Sequence, residues 1–286
     1  MSEDTKPAAI SKKVLVYRIS GMDDVKVQRD VEYSVTDECV LTLDIYYPPD
    51  SPESGGGARL PAVVFVAGFT DAGFEANVGC KFKEMASNVS WGRLTAASGL
   101  AAITYTNREP ATDLSALLRH VRHNAGALGI DADRIGLWAS SGNVPLALSA
   151  LMQEDSEYLK CAVLCYGYTL DLEGSSGVCD AARMWGFANP CAGRGVNDLP
   201  RALPLFIARA GQDALPRLNE TLDRFLCAAL AHNLPVTFVN HADAPHAFDL
   251  LHDSETSRQI IKHILAFLRF HLLRSETTKA HEDTLS

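Results

Sequence analysis

The chain has 286 residues, 47% of them hydrophobic, enough to bury the core of one large α/β domain. Its 35 acidic against 26 basic residues give a formal charge of −9, which argues against a nucleic-acid binder because such proteins present basic surfaces. Residues 1–10 are polar and mixed in charge, and no apolar run reaches about 18 residues, so neither a classical signal peptide nor a membrane span is expected, and a cytoplasmic location is the default.

In chain order, residues 1–12 read as a ragged end, and Val14–Ile19 reads as a strand. Gln28–Ser34 and Cys39–Tyr46 read as a hairpin around Thr36–Glu38, because Leu41, Leu43, Ile45 and Tyr47 alternate with Thr42, Asp44 and Tyr46 at a period of two. Residues 48–60 form a surface loop. Its Gly55–Gly56–Gly57 lacks the Lys-Ser/Thr ending of a phosphate loop, so no nucleotide site is expected.

From residue 61 apolar runs alternate with helical stretches. Strands are expected at Ala62–Val66, Leu100–Thr104, Arg134–Trp138, Cys161–Cys165, Leu205–Ala208 and Val236–Val239. Helices are expected at Trp91–Ser98, Asp113–Leu128, Gly142–Met152, Arg217–Ala231 and Thr256–Leu272. Gly99 and Gly129 stop the first two. Residues 171–199 interrupt the rhythm with Gly, Asn and Pro, and stand as a candidate lid; residues 273–286 read as a second ragged end. The expectation is one α/β domain over 13–272, a mostly parallel sheet with helices on both faces, and a site beyond the carboxyl ends of the strands.

Seven scattered cysteines read as reduced and structural. Cys161 and Cys165 have no histidines at metal spacing, and His120 and His123 have no third ligand, so no metal and no cofactor is expected.

The stretch RIGLWASSGNV (134–144) carries the chemistry. A short apolar run enters a serine among small residues, and a helix-compatible segment follows. That order holds a hydroxyl above a sheet and aims backbone N–H groups at a developing oxyanion. Ser141 is the better nucleophile, because Ala139 is small two residues before it. Ser140 would have Trp138 there. Asp213 follows the strand at 205–208 in a Gly-containing turn and can orient a histidine; Asp243 and Asp249 are weaker rivals. His246, in Ala-Pro-His-Ala-Phe, follows the strand at 236–239 and can move a serine proton; His241 is its rival.

The order Ser141, Asp213, His246 resembles the α/β-hydrolase superfamily, in its dienelactone-hydrolase-like and small esterase/lipase-like branches. PAVVFVAGF (61–69), DRIGLWASSGNVPLALS (133–149), PLFIARAGQD (204–213) and APHAFD (244–249) carry the resemblance, which spans roughly residues 30–270. Ala67 stands where esterases of this family often have His, Asn143 replaces the second glycine of the elbow, and the cysteine-centred elbow of dienelactone hydrolases is absent. The resemblance implies a serine hydrolase that cleaves a small ester or lactone through an acyl-enzyme. Gly142 and Phe69 are the expected backbone oxyanion donors, with Thr70 the alternative to Phe69. Trp91, Trp185, Phe187 and Phe248 are candidate pocket residues along with Thr70, and Asn107–Arg108–Glu109 is placed near the rim. An amide or peptide hydrolase with the same triad and a non-catalytic binding protein on this fold remain as alternatives. A homodimer is the commonest oligomer and stands only on that ground.

Overall fold

The computed structural model describes residues 10–35, 39–51 and 58–273. Thr36–Glu38, Gly55–Gly57 and most of the two expected ragged ends therefore lie outside the described residues. Eight strands form one sheet: β1 (Lys26–Val35), β2 (Val40–Tyr47), β3 (Leu60–Phe65), β4 (Ala101–Tyr105), β5 (Ile130–Ser140), β6 (Leu159–Cys165), β7 (Leu205–Ala210) and β8 (Val236–His241). Their spatial order is β1-β2-β4-β3-β5-β6-β7-β8. Strand β2 runs antiparallel to β1 and β4, and the pairings from β4 through β8 are parallel.

The helices are α1 (Asp71–Val78), α2 (Ala86–Ala97), α3 (Pro110–His123), α4 (Val144–Leu151), α5 (Gly177–Trp185), α6 (Leu218–Ala231), α7 (Phe248–Leu251) and α8 (Glu255–Leu273). The period of two along the strands sends alternate side chains to opposite faces of the sheet. Ala62 and Val64 of β3 and Ile135 and Leu137 of β5 join Leu114, Leu117, Leu146 and Phe225 in one apolar layer, made with α3, α4 and α6. Val63, Phe65 and Trp138 point the other way, into a layer with Trp91 and Leu94 of α2 and Ile260, Ile264 and Leu268 of α8. Cys161, Cys165 and Cys191 are buried, and burial raises their thiols above the usual range, Cys191 to about 12, which suits packing rather than reactivity. No helix among the described residues is long and apolar enough to cross a membrane.

Three expectations need correcting. Val14–Ile19 is not a strand. It is irregular, with the Val16 N–H bonded to the Asp249 carbonyl beside α7 rather than to a strand. The stretch after residue 68, expected to supply the second oxyanion donor at Phe69 or Thr70, becomes helix at Asp71, where the Thr70 hydroxyl accepts the Gly73 N–H and caps α1. Helix α3 starts at Pro110, before the expected Asp113, and ends at His123 rather than Leu128, with Ala125–Gly129 forming a hydrogen-bonded turn.

Candidate active site

Strand β5 ends at Ser140, which is extended (φ −134°, ψ 155°). Ser141 follows in the left-handed region at φ +54°, rare for a residue with a Cβ. A single 3-10 turn, Ser141–Asn143, then leads into α4. The strained residue of the strand–turn–helix corner is thus Ser141 rather than Ser140, and its side chain is partly exposed while Gly142 and Asn143 are buried. Such strain is tolerated where surrounding structure over-determines it. Here the Tyr168 N–H bonds the Ser141 carbonyl.

Asp213 and His246 come together from neighbouring strands. β7 and β8 pair in parallel, and two further backbone bonds tie the loops beyond them: Gly211 N–H to the His241 carbonyl and Gln212 N–H to the Ala244 carbonyl, each 2.8 Å. This fixed pair of loops holds His246 Nδ1 2.6 Å from Asp213 Oδ2. The Leu215 N–H occupies Asp213 Oδ1 at 3.0 Å. The Asp213 side chain has no solvent exposure, and that of His246 retains 27%. A buried carboxylate on Nδ1 fixes the tautomer that leaves Nε2 free to accept a proton. Ser141 and His246 share no hydrogen bond among the described residues; such catalytic bonds commonly tighten only when substrate is present.

Tyr166 and Tyr168, just past β6, bridge the two halves. The Tyr166 ring meets the His246 imidazole edge to face at 5.0 Å, and its phenol donates to Asp249 Oδ1. The rival histidine, His241, turns elsewhere. Its Nε2 contacts the Ser254 and Ser257 hydroxyls at 3.3 and 3.1 Å and His252 Nδ1 at 3.3 Å, in a buried cluster with no carboxylate hydrogen-bonded to the ring. Asp249 is buried as well and accepts hydrogen bonds from Tyr166 and Trp91.

Asn143 has a clear task. Its Oδ1 accepts the Gly68 N–H at 2.7 Å, joining the elbow to the turn after β3. The next residue, Phe69, has no acceptor for its N–H among the described residues. Gly142 leaves room for two rings: a Cβ built there would lie 2.6 Å from Phe187 and 3.1 Å from Phe69. Phe69 and Phe187 meet edge to face at 5.9 Å, and Tyr168 stacks on Phe187 at 5.5 Å. Trp185 is exposed, and the Tyr168 phenol donates to the Pro216 carbonyl. The segment 171–199 thus folds over the elbow through Phe187. Asp171 anchors it by accepting the N–H groups of Val178 and Cys179 at 2.8 Å each.

Other residues expected near the site have different surroundings. Phe248 and Trp91 are each 1% exposed and belong to the core rather than to an open pocket wall. Thr70 is occupied as the cap of α1. Asn107 is buried, with its side chain on the Ala67 carbonyl and its N–H on Asp71. The N–H groups of Arg108 and Glu109 both go to Asp113, so this stretch starts α3 and braces the β3 turn. Sequence reasoning missed Tyr166, which no motif marks, and the anchor Asp171. It had the residues of the Asn143 contact but no way to see that they meet.

No family model and no curated protein matches this chain. Solved structures do. An esterase of the planctomycete Thermogutta terrifontis, solved with propionate bound, superposes at a TM-score of 0.62, with 20% identity over 89% of this chain and 98% of its own. A mutant of an α/β hydrolase from the metagenome of Lake Arreo, Spain, gives a TM-score of 0.65, with 18% identity over 89% of this chain and 87% of that one. An α/β hydrolase from a Medee basin deep-sea metagenome gives 0.62 at 18% identity, over 87% of this chain and 99% of its own. The strand order with β2 reversed, the helices on both faces and these superpositions establish the architecture: the chain has the α/β-hydrolase fold.

Proposed function

We propose that the chain is a serine hydrolase of the esterase/lipase type, which cleaves small carboxylic esters through an acyl-enzyme. The observation that carries this reading is the pairing of a left-handed Ser141 at the end of β5 with the 2.6 Å His246–Asp213 contact beyond β7 and β8. His246 takes the Ser141 proton as Oγ attacks the ester carbonyl. Asp213 stabilises the imidazolium, which then protonates the leaving alkoxide. Water, activated by the same imidazole, releases the acid. The N–H groups of Gly142 and Phe69 receive the oxyanion of each tetrahedral intermediate.

The aromatic wall supports a short acyl group. Phe69 and Phe187 close over Gly142, which leaves little depth beside the nucleophile. The Thermogutta terrifontis relative has been solved with propionate and with butyrate bound, and in a form phosphorylated by paraoxon, which is consistent with short acyl esters and a reactive nucleophile in that protein. Small lactones present the same carbonyl chemistry and belong in the same substrate panel.

Labelling with a fluorophosphonate tests the reading. Wild type should form one covalent adduct on Ser141, lost in Ser141→Ala and retained in Ser140→Ala, and should cleave p-nitrophenyl acetate or butyrate. A folded wild type that neither labels nor cleaves would instead fit a binding protein, and hydrolysis of anilides in preference to esters would fit an amidase.

A further inference from the structure

Asp249 is a buried carboxylate that the acyl-transfer scheme does not use. It lies in α7, three residues after His246, and is 3% exposed. Both its oxygens are occupied. The Tyr166 phenol donates to Oδ1 at 2.6 Å, and the Trp91 indole donates to Oδ2 at 2.8 Å. Both donors are neutral, so neither cancels a carboxylate charge.

The titratable groups around Asp249 come from every element packed on it. Cys165 ends β6, Tyr166 follows it, and His246 precedes α7; of these, only His246 can carry positive charge. His241 and His252 meet each other beside α7, and His241 touches Phe248. His246 itself faces Asp213 and Tyr166. Burial pushes the Asp249 carboxyl up, against the opposing pull of Tyr166, Trp91 and His246.

Tyr166 is the connecting part. Its backbone sits at φ +35°, uncommon for a bulky residue. That turn presents the side chain to two partners at once: the ring to His246 and the phenol to Asp249. Trp91, Asp249 and Tyr166 thus form a hydrogen-bonded chain that ends with the Tyr166 ring against the imidazole.

We propose that Asp249 is a positioning residue for His246: by accepting the Tyr166 phenol it fixes the Tyr166 ring against the imidazole that takes the Ser141 proton. This role rests on the serine-hydrolase reading above. Asp213 stays the direct partner on Nδ1, and Asp249 acts through Tyr166.

The test pairs D249N, which keeps the shape but changes the acceptor, with Tyr166→Phe, which keeps the ring and removes the phenol that Asp249 holds. In each, the kcat for p-nitrophenyl acetate should fall about tenfold with KM held within about twofold, and fluorophosphonate labelling of Ser141 should slow in parallel, a split that a merely structural role would not produce. A folded D249N and a folded Y166F that both keep the wild-type kcat overturn the proposal. If D249N does not fold, an unchanged kcat in Y166F overturns it equally. A wild type that neither labels at Ser141 nor cleaves ester removes the hydrolase reading and this role with it. An active, labelled wild type with unaltered variants removes the Asp249 role alone.

Discussion

Asn143 Oδ1 accepts the Gly68 N–H at 2.7 Å, a side-chain bond across 75 positions of sequence that joins the elbow to the turn carrying the proposed oxyanion donor. The elbow position that usually holds glycine is therefore occupied by a residue with a task. Asn143 reaches over and takes the N–H just before Phe69, and the Phe69 N–H itself has no acceptor among the described residues, as the proposed donor role requires. Removing the amide leaves a buried donor unpaired, at a cost of about 1–3 kcal/mol. Asn143→Ala should lose that much stability in urea titration. Its kcat should fall about tenfold to a hundredfold with little change in KM, because the interaction lost matters most in the transition state.

Asp213→Asn tests the tautomer argument. The 2.6 Å contact to His246 Nδ1 is made by a carboxylate with no solvent exposure, so water cannot substitute for it. An amide can present its N–H₂ to the imidazole and stabilise the wrong tautomer. Ester hydrolysis should drop by about ten-thousandfold. Circular dichroism and the melting profile should remain close to wild type, since the side chains are isosteric.

The parts of the site that were legible in sequence are those tied to strand ends. Ser141, Asp213 and His246 each follow an apolar run, and a parallel sheet gathers its carboxyl ends at one edge. The choice of Ser141 over Ser140 followed from the size of Ala139 against Trp138, and the positive φ at Ser141 fits the same steric logic. Helix α1 was not legible, because DAGFEANV has no apolar stripe and buries only Asp71. Val14–Ile19 misled for the opposite reason: its β-branched and aromatic residues carry strand propensity, yet the segment pairs with no strand. Phe248 and Trp91 show that an aromatic near a motif is not thereby a pocket residue. Contacts such as Tyr166 on His246 join positions 80 apart and follow no local period.

Phe187→Ala should widen acyl specificity. The ring stacks with Tyr168 and crowds Gly142 beside the nucleophile, so its loss opens depth where the acyl chain would lie. The ratio of kcat/KM for p-nitrophenyl octanoate over acetate should rise about tenfold, the size of a modest hydrophobic pocket change. The variant is also expected to lose about 3–5 kcal/mol of stability if the cavity does not collapse. Steady-state kinetics across acyl lengths reads the first effect, and chemical denaturation the second.

Asp171 should make the α5 segment sensitive to acid. Burial acts to raise its carboxyl, but bonds from the Val178 and Cys179 backbones, with the Cys179 and Ser175 side chains, outweigh it and lower the pKa from 3.8. A depressed folded-state pKa contributes stability that is present above the unfolded value and is lost as pH falls through the lower, folded value. The anchor should therefore hold at pH 5 to 8 and release only below about pH 4. Asp171→Ala should mimic that release at neutral pH and speed chymotrypsin cleavage near Trp185 and Phe187. Equal cleavage in both proteins would mean that Asp171 does not hold the segment.

Gly211→Ala probes the joint between the acid and histidine loops. A Cβ at Gly211 would lie 2.2 Å from the Ala242 carbonyl oxygen and 2.7 Å from its carbonyl carbon, backbone that cannot swing aside as a side-chain tip can. Ala242 lies directly after His241, whose carbonyl accepts the Gly211 N–H. Relief must therefore separate the two loops that hold Asp213 against His246. A shift of about 1 Å in a catalytic group is enough to cost about a hundredfold in rate. G211A should show that loss in kcat while fluorophosphonate labelling of Ser141 slows in parallel, because both depend on the same base. A variant that folds with normal kinetics would mean that the loops separate without disturbing the pair, and that their hydrogen bonds are not what sets its geometry.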